Sequence, residues 1–383
     1  MKILKLPREK VILGMPLPWN VRDAQGLLLL SRGHIVTTEN QLDQILQRGA
    51  YVDIDEVRAA TLAAQAPPET PQVRAAPNLF DLWGKTSEAL RNLMTQPDSN
   101  PDFVAQLDAF AIHILDLLER NVNIAIYRTV RQENSHHFYY GYTHSVHTAV
   151  LCILLSRHLG WPMPRMLSLV KAALTMNMGI LELQGQMAAQ DTPMKERQRV
   201  EIRAHPQKAV DLLTKLGITD AGWLQAIAQH HEHPEGTGYP LGCTDMSDMA
   251  IALRVTDIFM AKISPRVLRA AQTPQEAIKH LYREDKGGPV STAIIKEFGL
   301  YPPGDFVKLA SGELGVVVER TGNTKAPIVA AVTDKTGKPI VRTVRRDTAQ
   351  PDFAIVGMAS DKTMLKRLPP ERLYGFAGAT SPA

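Results

Sequence analysis

Histidine and carboxylate side chains in the middle of the chain are the residues best suited to chemistry. Five of them stand in informative contexts: His144, His205, His230, His231 and Asp257. Imidazole nitrogens and carboxylate oxygens are ligands that Zn, Fe and Mn favour in proteins. The set predicts a metal site, and hydrogen-bonded core residues are the alternative interpretation.

The position of His231 on its predicted helix indicates an inward side chain. Leu224 and Ile227 precede it by seven and four residues, so the three side chains share one helix face. An imidazole on an apolar face needs a polar partner. A metal ion is one such partner, and a hydrogen bond within the core is the other.

Asp257 also shares an apolar helix face, with Leu253 and Met260. A buried ionised carboxylate is costly unless a cation compensates its charge. The cation is either a metal or a neighbouring basic side chain, for which Arg254 and Lys262 are the local candidates.

The segment 230–240, His-His-Glu-His-Pro-Glu-Gly-Thr-Gly-Tyr-Pro, is the most specific string in the chain. It resembles the HHE-x-x-x-G-x-GYP signature of the HD-GYP branch of the HD phosphohydrolase superfamily. The resemblance extends over roughly residues 130–301. Four flanking segments match family positions around the first histidine, the "HP" pair, the later aspartate and the "S-x-R" motif: 142–145, 204–206, 255–257 and 264–266.

This resemblance implies a helical bundle that holds two or three metals, commonly iron or manganese. In the family the metals activate water to cleave cyclic di-GMP, a bacterial second messenger, to a linear dinucleotide or GMP. The N-terminal module and the C-terminal β segment are also similar to those of one proteobacterial group of the family.

The chain departs from the family at its name-giving motif. The family's H-D-x-G-K falls on residues 176–180, Met-Asn-Met-Gly-Ile, where only the glycine matches. The missing Asp would bridge two metals, and Asn177 is neutral. Met176 offers a thioether in place of imidazole, and Ile180 lacks the ammonium of the missing Lys. We therefore expect hydrolysis by the family mechanism to be impaired.

The remaining ligands could still hold one metal. His205, His230 and His231 resemble the family's second metal site, and three protein ligands suffice for a metal such as zinc. The resemblance adds His144 and Asp257 to the metal set. We expect one divalent ion, Fe, Mn or Zn, with a metal-free histidine cluster as the alternative.

Phosphate recognition is less affected by the departure. Arg266 and Arg269 match the family's arginine segment and could pair with a phosphodiester, while Tyr239 could line the ligand pocket. Surface salt bridges are the alternative role for both arginines. Three further arginines resemble the R-x-x-x-R motif of PilZ barrels, although an ordinary solvated strand is favoured: Arg342, Arg345 and Arg346.

Three functions are consistent with these residues. The first is a degenerate HD-GYP-type signalling protein that binds cyclic di-GMP or a partner protein with little or no hydrolysis. The second is an active phosphodiesterase with a modified metal site, and the third is a scaffold similar to HDOD domains. A homodimer is left open.

Hydrophobic patterns predict a mainly α protein with a small N-terminal α+β module and a small C-terminal β appendage. The resemblance implies that its helical domain is an HD-GYP-like bundle. The predicted boundaries are 1–57 for the N-terminal module, 58–84 for an Ala/Pro-rich linker, 85–301 for the helical domain, 302–358 for the β appendage and 359–383 for a tail.

Composition narrows the functional classes. A formal charge of +4 over 383 residues gives no indication of nucleic-acid binding. No apolar run approaches the ~20 residues of a membrane span, and no signal-peptide core is present. Two cysteines, Cys152 and Cys243, are too few for a disulfide framework. We expect a cytoplasmic protein.

Overall fold

The structure is a computed structural model that describes residues 3–58, 78–132, 134–284, 286–359 and 368–375. The chain divides into two compact units, Met1–Ala76 and Pro77–Ala383. Most of the predicted linker and most of the predicted tail lie outside the described residues.

The N-terminal unit is a small α+β module. Its elements are β1 (Ile3–Lys5), β2 (Val21–Arg22), β3 (Leu28–Leu30), α1 (Glu39–Gln47) and β4 (Tyr51–Asp53). The strands form an antiparallel sheet in the order β1-β4-β2-β3. The side chain of Thr38 caps α1 by accepting from the N–H of Gln41, and Gly49 follows with φ +80°. The module has its own core, which includes Trp19 and Leu42.

The second unit is mainly helical. Its helices are α2 (Leu79–Gly84), α3 (Thr86–Met94), α4 (Phe103–Arg120), α5 (Val122–Val130), α6 (Tyr140–His158), α7 (Met163–Thr175), α8 (Leu181–Ala189), α9 (Glu196–Lys215), α10 (Ala221–Gln229), α11 (Asp248–Ile263), α12 (Pro274–Glu284) and α13 (Pro289–Phe298). Within the described parts of the chain, no helix is both long enough and apolar enough to span a membrane.

The central helix of this unit is α6. It is buried on nearly every side, because apolar and small residues occupy all of its faces. Several polar side chains on α6, including His144 and His147, are therefore buried with it. Buried polar groups need partners, so these positions direct attention to the surroundings of α6.

A five-stranded antiparallel sheet follows the helices. It consists of β5 (Phe306–Leu309), β6 (Leu314–Glu319), β7 (Ile328–Thr333), β8 (Pro339–Asp347) and β9 (Ile355–Met358), in the order β8-β7-β6-β5-β9. The sheet packs on the helices: Arg320 donates from its backbone to the side-chain oxygen of Asn123 at 3.1 Å. A short helix, α14 (Pro370–Tyr374), places the Tyr374 ring 5.3 Å from the Phe80 ring.

The predicted fold class is confirmed: the chain is mainly α, with a small module of mixed structure at one end and a small sheet near the other. One boundary differs from its expected place. Helix α2 buries Phe80 and Trp83 in the helical core, so that unit begins before residue 85. The alanine- and proline-rich composition of the preceding segment obscured this short helix.

Candidate metal centre

Three of the predicted ligands lie together in the helical unit. The ligand atoms of His205, His230 and His231 are all within 4.8 Å of one another. The first two side chains are fully buried and the third is partly exposed. Helix α9 supplies one of the three and the end of α10 supplies the other two.

A proline fixes the orientation of His205. Pro206 lies inside α9 and has no N–H, so the carbonyl group of Ile202, four residues earlier, lacks its usual helical donor. Nδ1 of His205 lies 2.6 Å from that oxygen. Pro206 thus frees the Ile202 carbonyl oxygen to accept a hydrogen bond from the imidazole of His205.

The C-terminal end of a helix fixes the orientation of His230. Helix α10 ends at Gln229, and the last carbonyl groups of a helix have no partner within it. One of them, from Ile227, lies 2.6 Å from Nδ1 of His230. Both rings are therefore anchored through Nδ1 to a backbone carbonyl, an arrangement common for metal-binding histidines.

The two anchored rings direct their other nitrogens at each other. Nε2 of His205 lies 3.1 Å from Nε2 of His230. A carbonyl oxygen only accepts, so each Nδ1 carries the proton of a neutral imidazole and each Nε2 presents a lone pair. Two lone pairs at this distance repel each other unless a cation is shared between them.

A proton is a poor candidate for that cation. Burial, reinforced by the neighbouring His230, lowers the pKa of His205 to about 3, and burial also lowers the pKa of His230. For His231 the pKa lies well below its usual value for the same reason. Three neutral imidazoles with free lone pairs fit a divalent metal, so the donor set suits the ion that the sequence predicts.

The other two predicted ligands form a pair of their own. Nε2 of His144 lies 2.7 Å from a carboxylate oxygen of Asp257. Burial raises the pKa of Asp257, but the hydrogen bond and the charge of His144 outweigh it and the net pKa is lowered. Among the described residues neither Arg254 nor Lys262 forms a salt bridge with Asp257, and Arg254 instead contacts His233.

The pair is close enough to influence the three-histidine cluster. Asp257 interacts electrostatically with His230 and His231. Its carboxylate would therefore offset part of the charge of a metal bound nearby. Among the described residues, the five predicted ligands form a group of three and a pair.

The glycine-rich loop after α10 is built around a carboxylate that the sequence analysis did not single out. Glu232 is completely buried and accepts from the backbone N–H groups of Leu241, Gly242 and Cys243 at 2.7 to 3.2 Å. Gly238 passes so close that a Cβ there would lie 2.4 Å from the Cα of Glu232. The third letter of "HHE" and the glycine of "GYP" were the available signals.

The same loop brings Tyr239 onto the cluster. Its ring stacks on that of His231 with 4.6 Å between centroids, and the Arg203 guanidinium lies 5.9 Å from the tyrosine ring. Burial, followed by the charge of Asp257, raises the pKa of Tyr239, which keeps the phenol neutral. Tyr239 thus lies where it could contact a ligand of the cluster.

The two predicted phosphate-binding arginines differ in their contacts. Arg266 donates to the hydroxyl of Tyr140 at 2.7 and 2.9 Å, and the Tyr140 ring stacks parallel to His144. Arg269 donates to the carbonyl of Ala261, and burial together with Arg266 lowers its pKa. Within the described chain neither forms a salt bridge, which was the alternative expected for them.

Three residues at which the sequence departs from the family's H-D-x-G-K pattern, Met176, Asn177 and Ile180, are buried after the end of α7. Met176 packs in the main hydrophobic core, and Ile180 is also buried. Asn177 is 2 % exposed, and its amide nitrogen has no hydrogen-bond partner among the described residues. No carboxylate, imidazole or ammonium is present at these three positions.

The arginines of β8 have mostly structural contacts. Arg346 pairs with the buried carboxylate of Glu313, with 2.7 Å between Nη2 and Oε1. Arg345 lies 5.9 Å from the Tyr374 ring. The guanidinium group of Arg346 is therefore already paired with a carboxylate. The favoured interpretation, an ordinary strand, fits this geometry.

Comparison with known proteins identifies the domain that carries these residues. Residues 117–287 match the family model described as an HD domain. A cyclic di-GMP phosphodiesterase of Pseudomonas aeruginosa is 30% identical over 189 residues, which make up 48% of this chain and 46% of that protein. The chain thus matches about half the length of this curated relative. Among solved structures, an HDG"Y"P protein from Bdellovibrio bacteriovorus is 18% identical, with a TM-score of 0.46 over 76% of this chain and 97% of that one.

Proposed function

We propose that this chain is an HD-GYP-type protein that binds one divalent metal and cyclic di-GMP, with little or no hydrolysis. It would act in signalling by responding to the nucleotide, either alone or through a partner protein. The proposal has three parts, which concern the metal, the nucleotide and the weak chemistry.

The facing Nε2 atoms of His205 and His230 are the observation that carries the proposal. Their Nδ1 anchors leave two lone pairs 3.1 Å apart, and the lowered pKa of both rings disfavours a shared proton. Together with His231 they would hold Fe, Mn or Zn. A protein that served only as a helical scaffold would have no need for this arrangement.

Nucleotide binding is proposed from the groups around the cluster. Arg266 and Arg269 retain several N–H donors beyond the contacts described above, and arginine pairs well with phosphodiester oxygens. Tyr239 adds an aromatic face beside His231. The relative from Pseudomonas aeruginosa, a cyclic di-GMP phosphodiesterase, supports the choice of nucleotide.

Weak hydrolysis is proposed from residues 176–180. A pair of bound metals would polarise the phosphoryl oxygen and lower the pKa of a water molecule. Met176 is committed to the hydrophobic core, and Asn177 has no negative charge with which to bridge two cations. Ile180 cannot donate to a phosphate. This chain can therefore bind and orient a phosphodiester better than it can attack one.

An active phosphodiesterase with a modified metal site is the second candidate. The observation that favours it is the His144–Asp257 pair, which remains buried, hydrogen-bonded and electrostatically linked to the cluster. Rearrangement of this pair could supply further ligands.

Elemental analysis tests the metal directly. Protein purified without an affinity tag and loaded with Mn, Fe or Zn should contain about one metal per chain. His205→Ala should lose it, while His280→Ala, at an exposed position on α12, should not. Less than roughly a tenth of a metal per chain under all loading conditions would refute this part of the proposal.

Calorimetric titration with cyclic di-GMP tests the nucleotide. Saturable binding is expected, and Arg266→Gln should weaken it by about tenfold, the usual effect of losing a charge-assisted hydrogen bond. Arg283→Gln, which removes an exposed arginine on α12, is the matched control. No heat of binding with metal-loaded protein would favour the helical scaffold.

A further inference from the structure

A cavity outside the candidate metal centre lies among α2, α3, α5 and α6. It has a volume of about 260 Å³, and none of its lining residues belongs to the candidate metal centre. Its wall includes Trp83, Ser87, Arg128, Arg131, Thr143 and His147. The function proposed above does not involve this cavity.

Two of the residues that line it each contain a buried nitrogen that has no hydrogen-bond partner among the described residues. These nitrogens are Nε1 of Trp83 and Nδ1 of His147, whose residues are 3 % and 7 % exposed. An indole N–H only donates. Buried polar groups left without partners cost free energy, so a ligand that accepts hydrogen bonds would remove that cost.

The charges around the cavity favour an anion. Arg128 and Arg131 both line it, and neither forms a salt bridge with any residue that the structure describes. Arg131 also interacts with the phenol of Tyr127, and a guanidinium group has five N–H donors, more than one such contact uses. Glu88 is the one carboxylate among the described lining residues, and it is exposed.

Two hydroxyl groups complete the polar wall. Oγ of Ser87 lies 2.9 Å from Oγ1 of Thr143, so only one of them donates to the other and the second keeps a free proton. Thr143 and His147 are four residues apart and therefore face the cavity from one side of α6. Burial, followed by Arg128 and His144, lowers the pKa of His147 to about 3, so this ring is neutral.

We propose that this cavity binds a small oxyanion, specifically a phosphate group that is either free or carried by a small molecule. The two guanidinium groups would supply charge, and the indole N–H and the free hydroxyl would donate to further oxygens. A tetrahedral phosphate uses donors from several directions, as this wall provides them.

The indole group of Trp83 gives a test specific to this cavity. The chain has four tryptophans, so a ¹H–¹⁵N spectrum contains four indole signals, and the Trp83 signal is the one lost in Trp83→Phe. Inorganic phosphate and phenyl phosphate are titrated separately at constant ionic strength set with NaCl. Both titrations should shift the Trp83 signal saturably. Tighter binding of phenyl phosphate would indicate a phosphate carried by a molecule, and equal or weaker binding would indicate free phosphate.

Three variants locate the binding. Arg128→Gln should weaken phosphate binding by about tenfold, and Ser87→Met, which fills part of the cavity, should abolish it. Arg283→Gln, on the exposed surface of α12, should bind as the parent does. The other three indole signals report whether each variant is folded.

His231→Ala separates this cavity from the metal centre, because the variant should keep full phosphate binding at Trp83. Loss of binding in His231→Ala would assign the anion to the metal centre and overturn the proposal. An unsaturated or absent shift of the Trp83 signal would also overturn it, as would a shift that Arg128→Gln leaves unchanged.

Discussion

Backbone carbonyl groups determine how the rings of His205 and His230 are oriented. His205 and His230 point their Nε2 atoms at each other because two carbonyl groups without helical donors hold their Nδ1 atoms. The first carbonyl is released by Pro206 and the second by the end of α10. Burial then keeps both rings neutral, which is the form that binds a metal.

Neutral buried histidines predict a loss of stability in acid. The lowered pKa values of His147, His205, His230 and His231 mean that the unfolded chain binds protons below about pH 6.5 before the folded chain does. The stabilisation that comes from keeping these histidines neutral is complete above that pH. It declines toward pH 3 by up to about 1.4 kcal/mol per pH unit for each histidine.

Urea unfolding in the presence of a chelator, at pH 7.5 and at pH 5.0, measures this decline. His147→Gln should show a smaller loss of unfolding free energy between the two values than the parent. His280→Gln, at an exposed site, should match the parent. Equal pH dependence in His147→Gln and the parent would contradict the neutral state of that residue.

Two features fix the loop that follows α10: the buried carboxylate of Glu232 and the absence of a side chain at Gly238. Glu232 fixes the loop by accepting three backbone N–H groups, and Gly238 allows the loop to cross the Glu232 backbone. The crossing brings Tyr239 onto His231. The loop that follows α10 therefore places Tyr239 beside the three-histidine cluster.

Substitution of Gly238 tests this close crossing. In Gly238→Ala the added Cβ would overlap backbone atoms of Glu232 and His233, so the loop must move, at a cost of about 1–3 kcal/mol by the usual scale of overpacking. Gly322→Ala is the matched control, because a Cβ there meets no atom within 4 Å. Equal unfolding free energies for the two variants in urea would rule out the tight crossing.

The sequence predicted the helical elements well and the site in part. Periodic apolar residues predict a helical domain, and the string 230–240 resembles the HD-GYP signature. The sequence could not predict that Asp257 pairs with His144, because the two residues are 113 positions apart and their contact depends on how α11 packs on α6. For the same reason the cavity beside Trp83 was not expected, since three separate segments form it.

The whole molecule contains two units with separate hydrophobic cores. The N-terminal module buries Trp19 and Leu42, whereas the helical unit buries residues such as Trp223 around the site. Trp223 lies on α10, and its indole N–H donates to Thr175, the residue before Met176. The candidate metal centre is built entirely from residues of the second unit.

Two tryptophan substitutions test whether the metal centre depends on the first unit. Trp19→Ala should destabilise the N-terminal module by about 3–5 kcal/mol, the usual cost of deleting a buried aromatic side chain, and leave the metal content unchanged. Trp223→Ala should lower the metal content, because it loosens the helix that carries His230. Metal analysis beside thermal unfolding measures both. Loss of metal in Trp19→Ala would show that the module supports the site.

Turnover is the most direct test of the central claim. Anaerobically purified protein supplied with Fe(II) or Mn(II) is incubated with cyclic di-GMP, and the linear dinucleotide and GMP are followed by chromatography. We predict less than about one product molecule per chain in an hour, against the ~1–10³ s⁻¹ typical of enzymes. Many turnovers, abolished in His231→Ala, would contradict the account and identify a working phosphodiesterase despite Met176 and Asn177.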